Sequence, residues 1–306
     1  MNHLRTLGCK IKKDFFLNWD LILMMLPVVA FFVIFCYVPM YGILMSFYDY
    51  IPALGFQGSE FVGLRYFEIF FSSPNAWMVI RNTLLLNVFS IIFVFPLPIV
   101  FAIMLFEIRS NGVVKTAQFV SELPYFISLV VVCGMIIDFV SVEGVVNDII
   151  VLFGGDRKNL LNEQSLYMPI YIISDIWQTV GFSSIIYYAA LAAVDTELFE
   201  AARIDGAGRL RQVFSITIPQ IMPTIIVMFI LRMGGIFNVG FEKAYLLKNY
   251  ANRESSEVLS TFIYERGIAK GNYGYGTAVG LFSALVNFAF LYITNKIARK
   301  TENSLW

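Results

Sequence analysis

Residues 200–219 read EAARIDGAGRLRQVFSITIP, from Glu200 to Pro219, and form the longest amphipathic polar passage in an otherwise very apolar chain. The passage lies between two hydrophobic runs, residues 168–194 and 221–240. Asp195, just ahead of it, is placed to cap a helix by accepting from free backbone N–H groups, and Glu197 is favourable in the first turn. The spacing predicts helix to about Arg203. Gly206 permits the backbone to turn, or a partner to approach closely. A second short helix is expected over residues 209–215, with Pro219 starting the next apolar run. The product is a helix–turn–helix lying along a membrane surface. Ala201 and Ala202 leave one face low, and Glu200 and Asp205 offer charge to a basic partner. This suits a knob that a soluble partner grips and moves. It equally suits a plain amphipathic connector whose arginines touch anionic lipid.

The composition points to the bilayer. The 306 residues are 58% hydrophobic and 14% charged, with a mean hydropathy of +0.72, whereas soluble domains carry about 25% charged residues. The net charge is zero, so nothing suggests a nucleic-acid partner. Cys9, Cys36 and Cys133 make neither a disulfide framework nor a metal spacing. His3 is the sole histidine. No zinc or histidine-based catalytic site is therefore expected, and no nucleophile constellation suggests an enzyme.

Six apolar runs long enough to span a bilayer follow in order: about residues 21–47, 84–106, 118–139, 168–194, 221–240 and 275–297. The first exceeds a signal-peptide core and is followed by Tyr48-Asp49-Tyr50 rather than a small-residue cleavage site, so it reads as a retained helix. Pro27, Pro39, Pro96 and Pro98 are expected to kink or interrupt the first two spans. An even number of spans puts both termini on one side. Arg5, Lys10, Lys12, Lys13, Arg109, Lys115, Arg203, Arg209, Arg211, Lys296, Arg299 and Lys300 share that side, mostly in short segments. The opposite cations are spread over longer loops, so the termini and the Glu200 loop are expected in the cytoplasm. The chain divides into a cytoplasmic segment 1–20, a six-span domain 21–297 with its loop at 195–219, and a cytoplasmic tail 298–306.

Glu200-Ala201-Ala202, Gly206 after three residues, then nine residues and Ile216-x-Ile218-Pro219, resembles the EAA loop of bacterial ABC importer permeases, with Ile218 in place of the more usual Leu. Phe61-Val62-Gly63-Leu64 with Tyr66, and Arg81-Asn82-Thr83-Leu84, resemble carbohydrate permeases of the maltose class. Asn238 to Lys243 and the closing Asn303-Ser304-Leu305-Trp306 are similar to the LplB-type subgroup, which serves complex oligosaccharides. The resemblance covers nearly the whole chain. It implies an all-α membrane protein with the type I ABC importer transmembrane fold and a cytoplasmic coupling-helix loop. It also implies a dimeric cytoplasmic ATPase that holds ATP and Mg, a second and unlike permease, and an extracellular solute-binding protein that delivers the sugar. Glu200 would then face a basic residue of the ATPase, Ala201, Ala202 and Asp205 would sit in its cleft, Gly206 would make the tight turn, and Pro219 would start the next span. No GxxxxGK[ST] phosphate loop occurs in this chain, so ATP hydrolysis is expected on another polypeptide.

Polar groups inside spans are costly and often functional. Asn87, Asp138, Asp175, Gln178, Arg232, Asn238 and Asn287 qualify. Asp175 and Gln178 share a helix face at i, i+3, away from Trp177, and are the expected pathway face. Asn238 and Glu242, at i, i+4, are expected at the entrance or bracing the next loop. Trp177, Tyr187 and Tyr188 are available as sugar platforms. Structural alternatives exist: Arg232 paired with Asp175 or Asp138, and Asn87 and Asn287 as interhelical ties. Loop 241–274, with Tyr245, Tyr250, Arg253, Glu254 and Tyr264, either meets a partner or is simply solvated. Two rival functions remain at this point. An ion-coupled secondary transporter would use Asp138 and Asp175 but would want inverted repeats, which are not found. A non-transporting membrane assembly factor is the other.

Overall fold

The structure, a computed structural model, describes residues 18–299. His3, Cys9, the basic residues before Asn18, Lys300 and the closing 303–306 pattern lie outside the described residues. Among the described residues, four helices are long and apolar enough to cross a bilayer: Trp19–Phe47, Pro74–Phe106, Arg209–Met233 and Tyr273–Ala298. Two bent pairs complete a set of six. Asn111–Phe126 and Leu129–Phe139 meet at 94°, and Gln164–Ala192 and Thr196–Ile204 meet at 70°. A minimal antiparallel pair, Tyr48–Asp49 with Glu60–Phe61, is the only strand structure among the described residues.

Pro39 and Pro96, expected to kink or interrupt their spans, and Pro219, expected to start the fifth, are each absorbed by a single wide turn. Proline lacks an N–H, and its ring strikes the carbonyl four residues back. Wide turns span Val33–Tyr37, Ser90–Val94 and Val213–Thr217, just ahead of Pro39, Pro96 and Pro219. Each contains the carbonyl at risk, that of Phe35, Ile92 or Ser215. The ladder shifts there to i→i−5 bonds, such as Phe95 N–H to the Ser90 carbonyl at 2.9 Å. That shift moves the threatened carbonyl aside while the helix continues.

Several expected boundaries are corrected. The run at 118–139 is not one straight span. It breaks at Ile127 and Ser128, which are extended (ψ 138° and 132°), and its first helix begins earlier, at Asn111. The fifth span ends at Met233 rather than Gly240, because Gly234-Gly235 lets the chain leave the helix. The short helix expected at 209–215 is the first part of this same span, not a separate element.

Gln164–Ala192 is the central helix. It packs against Pro96–Phe106, Asn111–Phe126 and Arg209–Met233. Its approach to Asn111–Phe126 is close at Gly181, where a Cβ would fall 2.2 Å from the Ser121 carbonyl oxygen. Small residues permit such backbone contact, and dispersion then supplies the attraction that the hydrophobic effect cannot supply between helices in lipid. One buried cluster gathers Leu86, Val132, Cys133, Tyr167 and Tyr171. A second joins Phe70, Val79, Phe262 and Val279. A third, Ala102, Tyr187, Leu191 and Ile221, sits toward the Ala192 end of the central helix. The first span is peripheral: no residue of Trp19–Phe32 is buried, and only its second half packs, against Tyr273–Ala298.

Candidate functional site

Two features at different levels of the central helix carry the chemistry. Beyond its Ala192 end, the chain turns through a short elbow into Thr196–Ile204. Asp195 caps this helix, its Oδ1 accepting from Glu197 N–H at 2.9 Å. The helix ends in a reciprocal pair of bonds, Ala207 N–H to the Ala202 carbonyl at 2.8 Å and Gly206 N–H to the Arg203 carbonyl at 3.1 Å. This closure needs a left-handed residue, and Gly206 has φ +75°. Gln212 braces the turn by donating to the Ala207 carbonyl at 2.7 Å. Phe199 anchors the helix to the bundle, its ring 5.8 Å from that of Phe106. Glu200, Ala201, Asp205, Gly206 and Pro219 are exposed, and Ala202 is half-buried. Ile204, Leu210 and Phe214 are also turned outward, Ile204 at 86% exposure. The result is a rigid, partly apolar projection.

Nearer the middle of the central helix lies a cavity of about 650 Å³. Asp175, Gln178, Arg232 and Asn238, all singled out in the sequence, line it together. Asp175 Oδ1 lies 3.3 Å from Lys243 Nζ, and the side chains are 22% and 4% exposed. The same ammonium sits 4.7 Å from the centre of the Tyr171 ring. Arg232 does not pair with Asp175 or Asp138. It donates from Nη2 to the Ser90 hydroxyl, and Asp138 is exposed outside the cavity. Asn87 is on the wall and donates to its own helix, to the Thr83 carbonyl at 3.0 Å.

Asn238 and Glu242 do not form the expected i, i+4 pair, because Asn238 precedes the helix Phe241–Leu247. Asn238 faces the cavity and accepts from Asn287 Nδ2 at 3.1 Å, while Glu242 is exposed and off the wall. Asn287 also accepts from Phe237 N–H at 2.8 Å, so it ties the non-helical segment to the sixth span. Of the expected platforms only Tyr187 reaches the cavity; Tyr125 and Tyr171, which the sequence did not single out, also line it. Lys243 and Ser90 were missed as well. Ser90 looks like an ordinary small residue of an apolar run, and Lys243 lies just past a span.

At the Gln164 end, residues 241–274 are packed rather than merely solvated. Asn82 Nδ2 donates to the Glu254 and Glu257 carbonyls at 2.7 and 3.1 Å. Asn252 Nδ2 reaches the Leu161 and Leu247 carbonyls, each at 3.0 Å. Lys248 meets Glu265 at 2.7 Å and the buried Glu257 at 3.7 Å, and Arg253 meets Glu257 at 2.8 Å. Tyr250 is fully open at 99% exposure. Among the described residues no group of three or more His, Cys, Asp or Glu could hold a metal ion.

The chain is similar to known proteins. The polygalacturonan/rhamnogalacturonan transport system permease protein YteP of Bacillus subtilis (strain 168) is 42% identical over 281 residues, 92% of this chain and 88% of the relative. Protein LplB of the same organism is 40% identical over 293 residues, 95% and 91% of the two chains. A solved bacterial ABC transporter involved in the import of the acidic polysaccharide alginate has a chain that superposes with a TM-score of 0.88 at 38% identity, covering 95% of this chain and 99% of that one. A bacterial alginate ABC transporter has also been solved in complex with an alginate pentasaccharide-bound periplasmic protein, again with a TM-score of 0.88. The family described as "Binding-protein-dependent transport system inner membrane component" matches residues 10–303, and the chain belongs to it as a multi-pass, membrane-embedded permease subunit of an ABC importer.

Proposed function

We propose that this permease forms one half of the pathway of an oligosaccharide importer in a bacterial cytoplasmic membrane, pairing with a second, unlike permease. Thr196–Ile204 is the coupling helix. It docks in a cleft of a cytoplasmic ATPase dimer that holds ATP and Mg, with Glu200 and Asp205 toward basic partner residues and Ile204 as an apolar peg. Residues 1–20, the 195–219 loop and the tail 298–306 lie on the cytoplasmic side. The segment 241–274, at the other end of the bundle, receives a sugar-loaded binding protein. Asp175, Gln178, Arg232 and Asn238 line the pathway, and Glu242 stands at the rim of the receiving end. The names of the relatives support an oligosaccharide as the substrate.

The observation that carries this reading is that one 29-residue helix bears the cavity wall and, past a 70° elbow, the exposed projection. ATPase closure that moves the projection therefore moves the wall. Purification of the tagged chain from native membranes should bring down an ATPase, a second permease and a solute-binding protein. Glu200→Ala with Gly206→Asp should abolish ATPase recovery and uptake while the second permease remains. A chain that comes down without any ATPase, or a double variant that keeps full uptake, overturns the coupling assignment.

A further inference from the structure

Three charged side chains face the central cavity: Asp175, Arg232 and Lys243. Two of them cancel. Lys243 is nearly fully buried and fixed on Asp175 at 3.3 Å, and the Tyr171 ring covers the same ammonium. Arg232 is different. It projects from the last turn of Arg209–Met233, is exposed and lines the cavity. Among the described residues no carboxylate lies within 4.0 Å of its guanidinium, and its recorded contact is the neutral Ser90 hydroxyl. The wall thus carries a net charge of +1, from an arginine at cavity depth whose five N–H donors make one hydrogen bond among the described residues, to Ser90. A guanidinium is costly at that depth and is retained where it meets an opposite charge. Its geometry matches a carboxylate through two parallel N–H···O bonds.

Resting on the oligosaccharide-pathway reading above, we propose that the oligosaccharide is anionic and that Arg232 receives a sugar carboxylate, with Ser90 holding the guanidinium in register. Asn87, Gln178, Asn238 and the hydroxyls of Tyr125 and Tyr187 on the same wall meet the sugar's own hydroxyls. Arg232 is a specificity determinant: a neutral sugar leaves its charge unpaired in the cavity, and a carboxylate neutralises it. The Asp175–Lys243 pair keeps the rest of the wall neutral, so the positive charge is local and the carboxylate is read at one position. An unpaired Asp175 on the same wall would repel the anion.

The test uses the complete complex purified with its native partners and reconstituted in proteoliposomes with ATP inside. The probes are uronate oligosaccharide ladders from pectin and from alginate, each also supplied after reduction of the carboxyls to primary alcohols. Uptake is read by mass spectrometry of the lumen. The wild type should take up an acidic ladder at least about tenfold better than its reduced counterpart. Arg232→Gln should lower acidic uptake by about ten- to a hundredfold, the loss of a charge-assisted contact, and bring the ratio of acidic to reduced-ladder uptake down toward one. Arg232→Lys should restore part of the acidic uptake because it keeps the charge but not the fork. Equal loss for both ladders in Arg232→Gln would make the arginine structural and overturn the proposal. Preferential import of the reduced sugars would also overturn it, while leaving the importer reading intact. Absence of any sugar uptake, with ATP hydrolysis insensitive to every ladder, would bring down the importer reading itself.

Discussion

The Asp175–Lys243 pair makes a quantitative prediction, because its two ends are unequally buried. At 3.3 Å, and with an effective dielectric of about 20, the attraction is on the order of 5 kcal/mol. Desolvation of both ions offsets most of that, so the pair compared with an apolar pair is close to neutral. Removing one end is a different perturbation. Asp175→Asn strands an ammonium that is 4% exposed, and a cost of about 3–4 kcal/mol follows. Lys243→Met strands a carboxylate that is 22% exposed at a cavity wall. Water reaches that group, and the cost falls to about 1–2 kcal/mol. The double variant should recover most of the loss, with a coupling energy of about 2 kcal/mol or more. Reversible unfolding of the purified permease in mixed detergent micelles, read by tryptophan fluorescence, measures all four corners of the cycle. Single effects that add to within about 0.5 kcal/mol would show that the two groups do not interact. A Lys243→Met variant less stable than Asp175→Asn would refute the burial asymmetry.

Three further outcomes follow from the geometry. Ile204→Glu should leave chain stability within about 0.5 kcal/mol, since the side chain is 86% exposed, while recovery of the ATPase in a pull-down falls at least tenfold by the docking assigned above, roughly 1.4 kcal/mol. Gly206→Val should cost about 1–2 kcal/mol from left-handed strain alone, because no atom lies within 4 Å of the added Cβ; Gly206→Asn should recover most of it, and thermal melts separate the two. Gly181→Ala should cost about 1–3 kcal/mol, because its Cβ would collide with the Ser121 backbone, and cysteine crosslinking between Asn111–Phe126 and Gln164–Ala192 should report the widened gap.

The apolar runs made the number of crossings legible, since a polar backbone in lipid has few other options. The helix cap at Asp195, a helix to about Arg203 and the turn at Gly206 were legible for local reasons: a capping side chain and a residue free to adopt positive φ. The prolines misled. A pyrrolidine ring makes a break easy to foresee, but a wide turn accommodates it at the cost of one extra residue, and nothing in the runs around Pro39 and Pro96 distinguishes the two outcomes. The 94° bend at Ile127 and Ser128 was missed although Pro124 lies just ahead of it, in the last turn of the helix that ends there. In the cavity, Asp175, Gln178, Arg232 and Asn238 were visible as polar residues in apolar surroundings. Which charge meets which was not visible, since the Lys243–Asp175 contact joins residues 68 apart in the chain and depends on where the fifth span unwinds.

Gly234-Gly235 sets that unwinding point, and the cavity depends on it. Had helix continued to residue 240, Asn238 would have stayed on the helix, about 1.5 Å per residue further along its axis. Leaving the helix at Met233 folds the chain back, so that Asn238 faces the cavity and Lys243 reaches Asp175 on the central helix. Arg232, in the last helical turn, is therefore held at the junction between a rigid span and an irregular segment tied down by Asn287. From Gln178 the central helix runs about 21 Å to its elbow, past Tyr187, which belongs both to the cavity wall and to the buried cluster with Ala102, Leu191 and Ile221. Ile221 belongs to the same span that ends at Arg232. A push on Thr196–Ile204 thus reaches the cavity along two routes, through the central helix and through Ile221 into the fifth span. Arg232 and Asp175 sit on different helices, so a relative slide of those helices changes the distance between the free cation and the neutralised pair. In the proposed transport cycle, that distance is the quantity a bound carboxylate would sense.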